Sequence, residues 1–498
     1  MAKRIVLLLI VLLLFAGFTN TGSCYDLKDK VHVYTLDNGL RILMLERHLS
    51  PTVACYIRYR AGAVDDRDGK TGMAHFLEHM MFKGTETIGT RDWSKEKPIL
   101  LEVEKTGAAL DHEILKGDKQ KIADLRKKLD FLQKEEKAWI RENEIDELYT
   151  KNGAMNFNAN TSQDMTTYLV SLPSNKIELW ARIEADRMVH PVFREFFTER
   201  DVIMEERRQS IEANPEEKLY EQFIAQAFIA HPYHRPTIGW PSDMRFLDVA
   251  SMRDFFLRFH APNNTVIAMV GDIEPGATLQ LLKKYFGSIP RQDIGSHPIT
   301  DEPEQRGERR ISLSYDARPQ IILGYHKPPP PSKDDYVFDA IEAILSKGRT
   351  SRMYKSILEK QGLVESIQAM NGMPGARYPN LFSIWANPRG NHKTEEIEKA
   401  VYSELDKMKT EKVSKEELEK TINQMRADLI RGLKTNEGMA NSLSYYEVLL
   451  GDYQYLIKYL DNMQKITPDD IQRVAKEYFQ PENLTVAIIN GTAGNREK

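Results

Sequence analysis

The sequence predicts an α+β fold of two homologous domains, each a mostly antiparallel sheet covered by helices. Three observations carry this. The chain has 498 residues, 41% of them apolar and 29% charged, which suffices for several buried cores and excludes a single small module. Residues 255–270 (FFLRFHAPNNTVIAMV) and 474–489 (VAKEYFQPENLTVAII) repeat one plan of helix end, Pro-Asn turn and strand, with Pro262 and Pro481 about 219 positions apart. Residues 52–84 and 319–348 share a second plan: strand, loop, helix and a closing Lys-Gly, at Lys83-Gly84 and Lys347-Gly348. Strands and helices mix without strict β-α-β alternation, which favours antiparallel pairing.

The elements follow in order. Lys3 and Arg4 precede an uncharged run from Ile5 to Phe18 and then small polar residues, the layout of a secretory signal over residues 1–23. The run is shorter than the roughly 20 residues a spanning helix needs. The expectation is an exported protein, periplasmic or secreted, with Cys24 as a candidate lipidation site and no membrane span in the mature chain. The N-terminal domain is expected over residues 28–290. It opens with the alternating VHVYTLDNGLRILML, whose Asp37-Asn38-Gly39 signals a hairpin. Residues 52–60 read as a strand and lead to a helix starting near Thr71. Residues from about 93 to 151 are dense in Lys, Glu and Leu at helical spacing, and read as an inserted, solvated helical hairpin. A polar linker is placed at 291–309 and the second domain at 310–498.

Charge narrows the function. The balance of 69 Lys+Arg against 73 Asp+Glu leaves a net charge of −4, so no nucleic-acid partner is expected. Two cysteines, Cys24 and Cys55, supply neither a disulfide framework nor a thiolate zinc site. Any metal must be held by histidine and carboxylate.

The chemistry gathers on one helix, TGMAHFLEHMMFKGT at 71–85. His75 and His79 are four apart, so both imidazoles leave the same face and can reach one metal. Glu78 stands beside them, placed to take a proton from an attacking water. With only 12 histidines in the chain, H-x-x-E-H is rarely met by chance, and it is the inverted zinc motif. Downstream, TERDVIMEERR at 198–208 reads as a helix with Thr198 as N-cap. Glu199 and Glu206 are seven apart and share a face, while Glu205 points about 100° away. As third ligand, position alone favours Glu206 over Glu199.

With GMAHFLEHMMFKGT and ERDVIMEE in view, the chain resembles the pitrilysin/insulysin family of zinc peptidases, which includes processing-peptidase-like enzymes. That resemblance implies one Zn²⁺ on His75, His79 and Glu206, with Glu78 as catalytic base and Glu199 supporting a ligand histidine. NFNANTSQDMTTYL (156–169) resembles the family's substrate-pairing sheet edge, which makes Asn158 and Ala159 candidate contacts for a peptide substrate. HPYHRPTIGW (231–240) is a further family block. The implied activity is endopeptidase cleavage of peptides or unfolded polypeptide segments.

The second half departs from an enzyme that acts alone. Asp339 and Ala343 stand where the histidines do. The family's Arg and Tyr, seven apart in this half, are replaced by Leu358 and Glu365 in LEKQGLVE. The resemblance therefore implies the zinc-bearing subunit of a two-chain enzyme. A homologous Arg/Tyr-bearing subunit (a heterodimer), or a second copy in a homodimer, would complete it. Arg349 or Arg352 with Tyr354 is the local alternative, and a non-catalytic scaffold subunit of the same fold is the other function class.

Overall fold

The computed structural model describes residues 27–295 and 298–491; the expected signal segment and Cys24 lie outside the described residues. Eleven strands are described, in two sheets. The first holds β1 (Val31–Thr35), β2 (Arg41–Glu46), β3 (Thr52–Tyr59), β4 (Met155–Thr161), β5 (Thr166–Pro173) and β6 (Thr265–Gly271), in the order β1-β2-β6-β3-β5-β4. The second holds β7 (Arg309–Tyr315), β8 (Gln320–Lys327), β9 (Val364–Met373), β10 (Asn380–Pro388) and β11 (Leu484–Gly491), in the order β7-β11-β8-β10-β9. All pairs are antiparallel except β2–β6 and β7–β11. The expected α+β class is therefore the fold, down to the duplication: in each sheet the last strand inserts beside an early one and runs parallel to it.

Local chemistry explains the elements. The Asp37-Asn38-Gly39 turn closes β1 on β2. Gly39 sits at φ +88°, and the Asn38 amide donates to the carbonyls of Phe286 and Ile289, tying the hairpin to the end of the sheet's last helix. The two Pro-Asn turns are both short 3₁₀ turns, Pro262–Asn264 and Pro481–Asn483, feeding β6 and β11.

Eleven helices matter here: α1 (Met73–Met80), α2 (Trp93–Lys116), α3 (Lys119–Lys137), α4 (Phe196–Arg207), α5 (Pro215–Ala227), α6 (Val249–Phe259), α7 (Lys333–Ser346), α8 (Lys415–Gly432), α9 (Asn436–Leu450), α10 (Tyr455–Met463) and α11 (Pro468–Tyr478). Each sheet is covered on one face by helices of its own half. Phe76, Leu77 and Met80 of α1, Phe196 and Ile203 of α4, and Phe256 of α6 bury against the first sheet. Phe338 and Ile341 of α7 and Val474 of α11 bury against the second.

The opposite faces are covered reciprocally. Met439, Ala440 and Leu443 of α9, from the second half, pack on Ala54, Val266 and Ala268 of the first sheet. Leu219, Phe223 and Ala227 of α5, from the first half, pack on Ile322, Ala487 and Ile489 of the second. Each fully buried aliphatic or aromatic side chain in such a face contributes roughly 1.5–3 kcal/mol. Polar ties cross between the halves as well: Arg41–Glu447 at 2.7 Å, and Arg58 to the Asn441 side chain at 2.7 Å.

α2 and α3 form the helical hairpin, which docks rather than standing free in solvent. Gly107 of α2 lies flat on the Phe197 ring; a Cβ there would come within 1.9 Å of it. Asp111 pairs with Arg200 at 2.7 Å, and fully buried Glu96 pairs with Arg194 at 2.5 Å. The hairpin thus braces α4. Among the described residues, no helix is long and apolar enough to cross a membrane.

Candidate metal centre

Helix α1 starts at a close approach of two backbones. Gly72, at φ +86°, lies against the Ile238 carbonyl, and a Cβ would stand 2.5 Å from that oxygen. Asp66 closes the helix end, accepting from the amides of Gly72 (2.8 Å) and Ala74 (3.0 Å). With Phe76, Leu77 and Met80 buried, the spacing leaves His75, Glu78 and His79 on the side facing α4 and β4.

Helix α4 begins at Phe196, two residues before the expected cap. Thr198 is not the N-cap: Glu195 holds that position at φ 55°, because burying Phe196 and Phe197 extends the helix. Glu206 lies near its C-terminal end, beside Arg207. That arginine is buried, pairs with Glu221 at 2.6 Å and donates to the Gly239 carbonyl at 2.9 Å. The ion pair fixes the end of the helix from which Glu206 projects.

His75, His79 and Glu206 converge, with one donor atom from each lying within 4.8 Å of the others. His75 Nε2 is 3.8 Å from Glu206 Oε1, and His79 Nε2 is 3.5 Å from Glu206 Oε2. Those separations approach what ligands about 2.0–2.2 Å from one tetrahedral ion require. Glu206 Oε2 and His75 Nδ1 are buried without hydrogen-bond partners. Burial, with the neighbouring His79, pushes the His75 imidazole down to about 3, so it is a neutral base at physiological pH. Two imidazoles and a carboxylate, with a buried unpartnered carboxylate oxygen among them, fit a divalent metal of the zinc type.

Around the trio stands a supporting layer. Glu199 Oε1 meets His79 Nδ1 at 2.9 Å, which orients the ring and leaves Nε2 for the cluster. Lys83 holds the other Glu199 oxygen at 2.6 Å and reaches Glu195 at 3.3 Å. Burial works against charge on Glu199, but the bonds from His79 and Lys83 outweigh it and hold the carboxyl down at about 2. Burial also lowers His79, while Glu199, Glu206 and Glu78 more than offset it, so its pKa is raised.

Glu78 accepts from Thr161 Oγ1 at 2.5 Å. Burial raises its pKa, and the Thr161 bond only partly counters this. Thr161 ends β4, the outer strand of the first sheet, to which Asn158 and Ala159 also belong. Asn158 Oδ1 accepts from the Ala159 amide at 2.9 Å, so its side chain shields a free edge N–H. A cavity of about 410 Å³ opens here between Glu78, His79, Asn158 and the residues that follow α3, Ile140 to Ile145. Thr161 was not singled out from the sequence, and Lys83 only as part of the repeated Lys-Gly. Thr161 lies inside the quoted 156–169 segment, and Lys83 stands four residues after His79; both signals are plain only once β4 and α4 are in place.

The remaining family block has a positional role. Tyr233, fully buried, donates to Asp164 at 2.6 Å and accepts from the amides of Arg377 (3.1 Å) and Tyr378 (3.2 Å). Asp164 in turn accepts from the Ala376 amide at 2.6 Å. The 231–240 block therefore joins the β4–β5 turn to the β9–β10 loop of the second half.

Fold and donor set together define a scaffold of the zinc-peptidase class. Residues 41–114 and 122–240 match the family described as Insulinase (Peptidase family M16), and residues 247–425 match the Peptidase M16 inactive domain. The chain belongs to the M16 family. It is 26% identical over 494 residues to the zinc protease PqqE of Helicobacter pylori, covering 98% of each chain. It is 20% identical over 459 residues to an uncharacterized zinc protease, YmxG, of Bacillus subtilis, covering 92% of this chain and 97% of that one. A solved protease structure from Helicobacter pylori superposes with a TM-score of 0.78 at 25% identity, over 93% of this chain and 99% of that one.

Proposed function

We propose that this chain is a zinc-dependent endopeptidase acting on peptides or unfolded polypeptide segments, and the zinc-bearing subunit of a two-chain enzyme. The observation that carries the reading is the 2.5 Å bond between Glu78 and Thr161. It joins the candidate base to the sheet edge on which an extended peptide would lie.

His75, His79 and Glu206 would hold one Zn²⁺, which supplies Lewis acidity to the scissile carbonyl and the attacking water. The chain's own groups do the rest. A substrate strand adds to the free edge of β4, displacing the Asn158 side chain from the Ala159 amide, so that main-chain bonds set its register. Glu78, with its raised pKa, takes the proton from water and returns it to the leaving amine at the same carboxylate oxygens. Thr161 points Glu78 at the cluster, and Glu199 keeps the His79 ring turned toward Glu206.

The two-chain assignment rests on the second half. Glu365 is engaged with Arg318 at 3.1 Å, and Arg352, one of the two arginines of the local alternative, is held by Glu417 at 2.6 Å. That leaves Arg349 with Tyr354 as the local pair that an enzyme acting alone would need. The expected site of action is outside the cytoplasm, as the basic and apolar start of the sequence implies.

The test is cleavage of a mixed peptide library by zinc-loaded chain, with Glu78→Gln as control. Cleavage that appears only when a homologous Arg/Tyr chain is added, and vanishes in Glu78→Gln, is the expected result. Cleavage by the chain alone keeps the peptidase and removes the partner. A zinc-loaded chain silent in every combination would make it a scaffold subunit, and a chain that takes up no zinc would overturn the ligand assignment.

A further inference from the structure

The second half contains a cavity that the reaction above leaves unused. It measures about 380 Å³ and is walled by α7, β9, α8, α9 and α10. Helix α7 turns Asp335, Asp339 and Glu342 toward it, at spacings of four and three residues. Asp335 is paired with the buried Lys327. Asp339 accepts from the Tyr459 hydroxyl at 2.6 Å and from the Asn371 side chain at 2.7 Å, while Glu342 accepts from the Asn371 amide at 2.9 Å. Lys347 is committed to Asp428. Among the described residues, neither Asp339 nor Glu342 has a cation at ion-pair distance. Burial, with the charge of Asp335, raises Asp339, and burial pushes Glu342 up to about 7.

Aromatic rings form the opposite wall. Tyr445, Tyr446, Tyr455 and Tyr459 make a continuous ladder with successive centroids 5.2, 5.2 and 6.1 Å apart. Tyr455 is only 6% exposed, and its hydroxyl has no hydrogen-bond partner although it lies in the field of Asp335 and Asp339. A buried hydroxyl left unpaired in a polar cavity calls for an occupant. Carboxylates lacking a countercharge and facing aromatic rings suit an organic cation. They do not suit a small divalent ion: among the described residues, only His75, His79 and Glu206 bring three donor atoms within 4.8 Å.

We propose that this cavity binds an organic cation, the ammonium of lysine or the guanidinium of arginine, and anchors a polypeptide whose cleavage occurs at the first-half centre. The identity of the ligand as a peptide rests on the peptidase reading; the cation preference does not. Lysine or arginine on a bound chain would place its head between Asp339 and Glu342 and its stem along the tyrosine ladder.

The experiment is equilibrium binding of a short fluorescent peptide to the full Glu78→Gln chain, which does not turn it over. One peptide is N-acetylated with a single internal lysine, and its counterpart carries norleucine instead. The lysine peptide is expected to bind about tenfold more tightly. Asp339→Asn and Glu342→Gln, both near-isosteric, should each remove most of that preference, and Tyr455→Phe should reduce it, with unchanged circular-dichroism spectra marking intact folds. Displacement of the lysine peptide by n-butylamine, lost in the same variants, also supports the site and makes the ammonium head sufficient. Equal binding of the two peptides, or a lysine preference that survives Asp339→Asn and Glu342→Gln, overturns the proposal. Failure of the peptidase reading shows up separately, as absent cleavage by the zinc-loaded unsubstituted chain both alone and with the homologous Arg/Tyr chain.

Discussion

Helices α1 and α7 occupy corresponding places in the two halves and differ in what they carry. Each follows a central strand and ends at a Lys-Gly. In each, a glutamate bonds the outer strand of its own sheet: Glu78 through Thr161 of β4, Glu342 through the Asn371 amide of β9. In each, the closing lysine pairs with an acid on a crossing helix, Lys83 with Glu199 of α4 and Lys347 with Asp428 of α8. What α7 lacks is the imidazoles, replaced by Asp339 and Ala343. The glutamate–edge and lysine–acid bonds are therefore a frame that clamps a helix between sheet edge and neighbour, and the candidate ligand histidines are an overlay on it.

The largest expected effect tests the overlay. Glu78→Gln keeps the frame's hydrogen bond but removes the base, and peptide cleavage should fall by about 10²–10⁴-fold with zinc content unchanged. If zinc is lost as well, Glu78 belongs to the ligand set and the separation of frame from overlay fails. Next comes the support of His79. Glu199→Gln should weaken zinc binding by about 10–100-fold in a chelator competition, whereas Lys347→Gln, its counterpart's partner in the second half, should leave zinc affinity unchanged.

A smaller effect concerns the brace that only the first half possesses. Gly107→Ala forces a methyl into the Phe197 ring and should destabilise the chain by about 1–3 kcal/mol in denaturant unfolding. Part of that loss should reappear as weaker zinc binding, because Phe197 and Glu199 share α4. The smallest effect is a pH slope from the second half. Glu342, raised from 4.5 to about 7, keeps its proton in the fold where the unfolded chain has released it. Its contribution is full below about pH 4.5 and is lost as pH rises through about 7. The melting temperature of the parent relative to Glu342→Gln should accordingly decline between about pH 5 and pH 8, with Asp339 and Lys347 the charged groups nearest to it.

Some of this was legible in the sequence, because helix geometry turns spacing into a face. Residues four apart at His75 and His79, and seven apart at Glu199 and Glu206, must lie on common stripes, and the structure sets those two stripes against each other. The duplication was legible because two Pro-Asn turns feed two strands in like fashion. The N-cap of α4 was misplaced because Thr198 has the better capping side chain, while burial of Phe196 and Phe197 decided the boundary. The hairpin read as solvated, since its Lys and Glu content hides the one glycine and two acids that dock it. The bonds of Thr161 to Glu78 and of Lys83 to Glu199 escaped notice because the partners are 83 and 116 residues apart. Nor did any periodicity say that α5 and α9 would each cover the other half's sheet; amphipathicity states that a face is buried, not against what.

That exchange of α5 and α9 bears on what the stretch between the sheets does. Because each sheet borrows its second cover from across the boundary, the peptide bonds between residues 291 and 308 are not what keeps the halves together. A chain severed there should run as one particle in gel filtration and keep its bound zinc. Two fragments made separately should each present a bare apolar sheet face and an orphaned helix, stay poorly soluble alone, and reassemble when refolded together. A gene cut at this point would yield two polypeptides that still close one folded body.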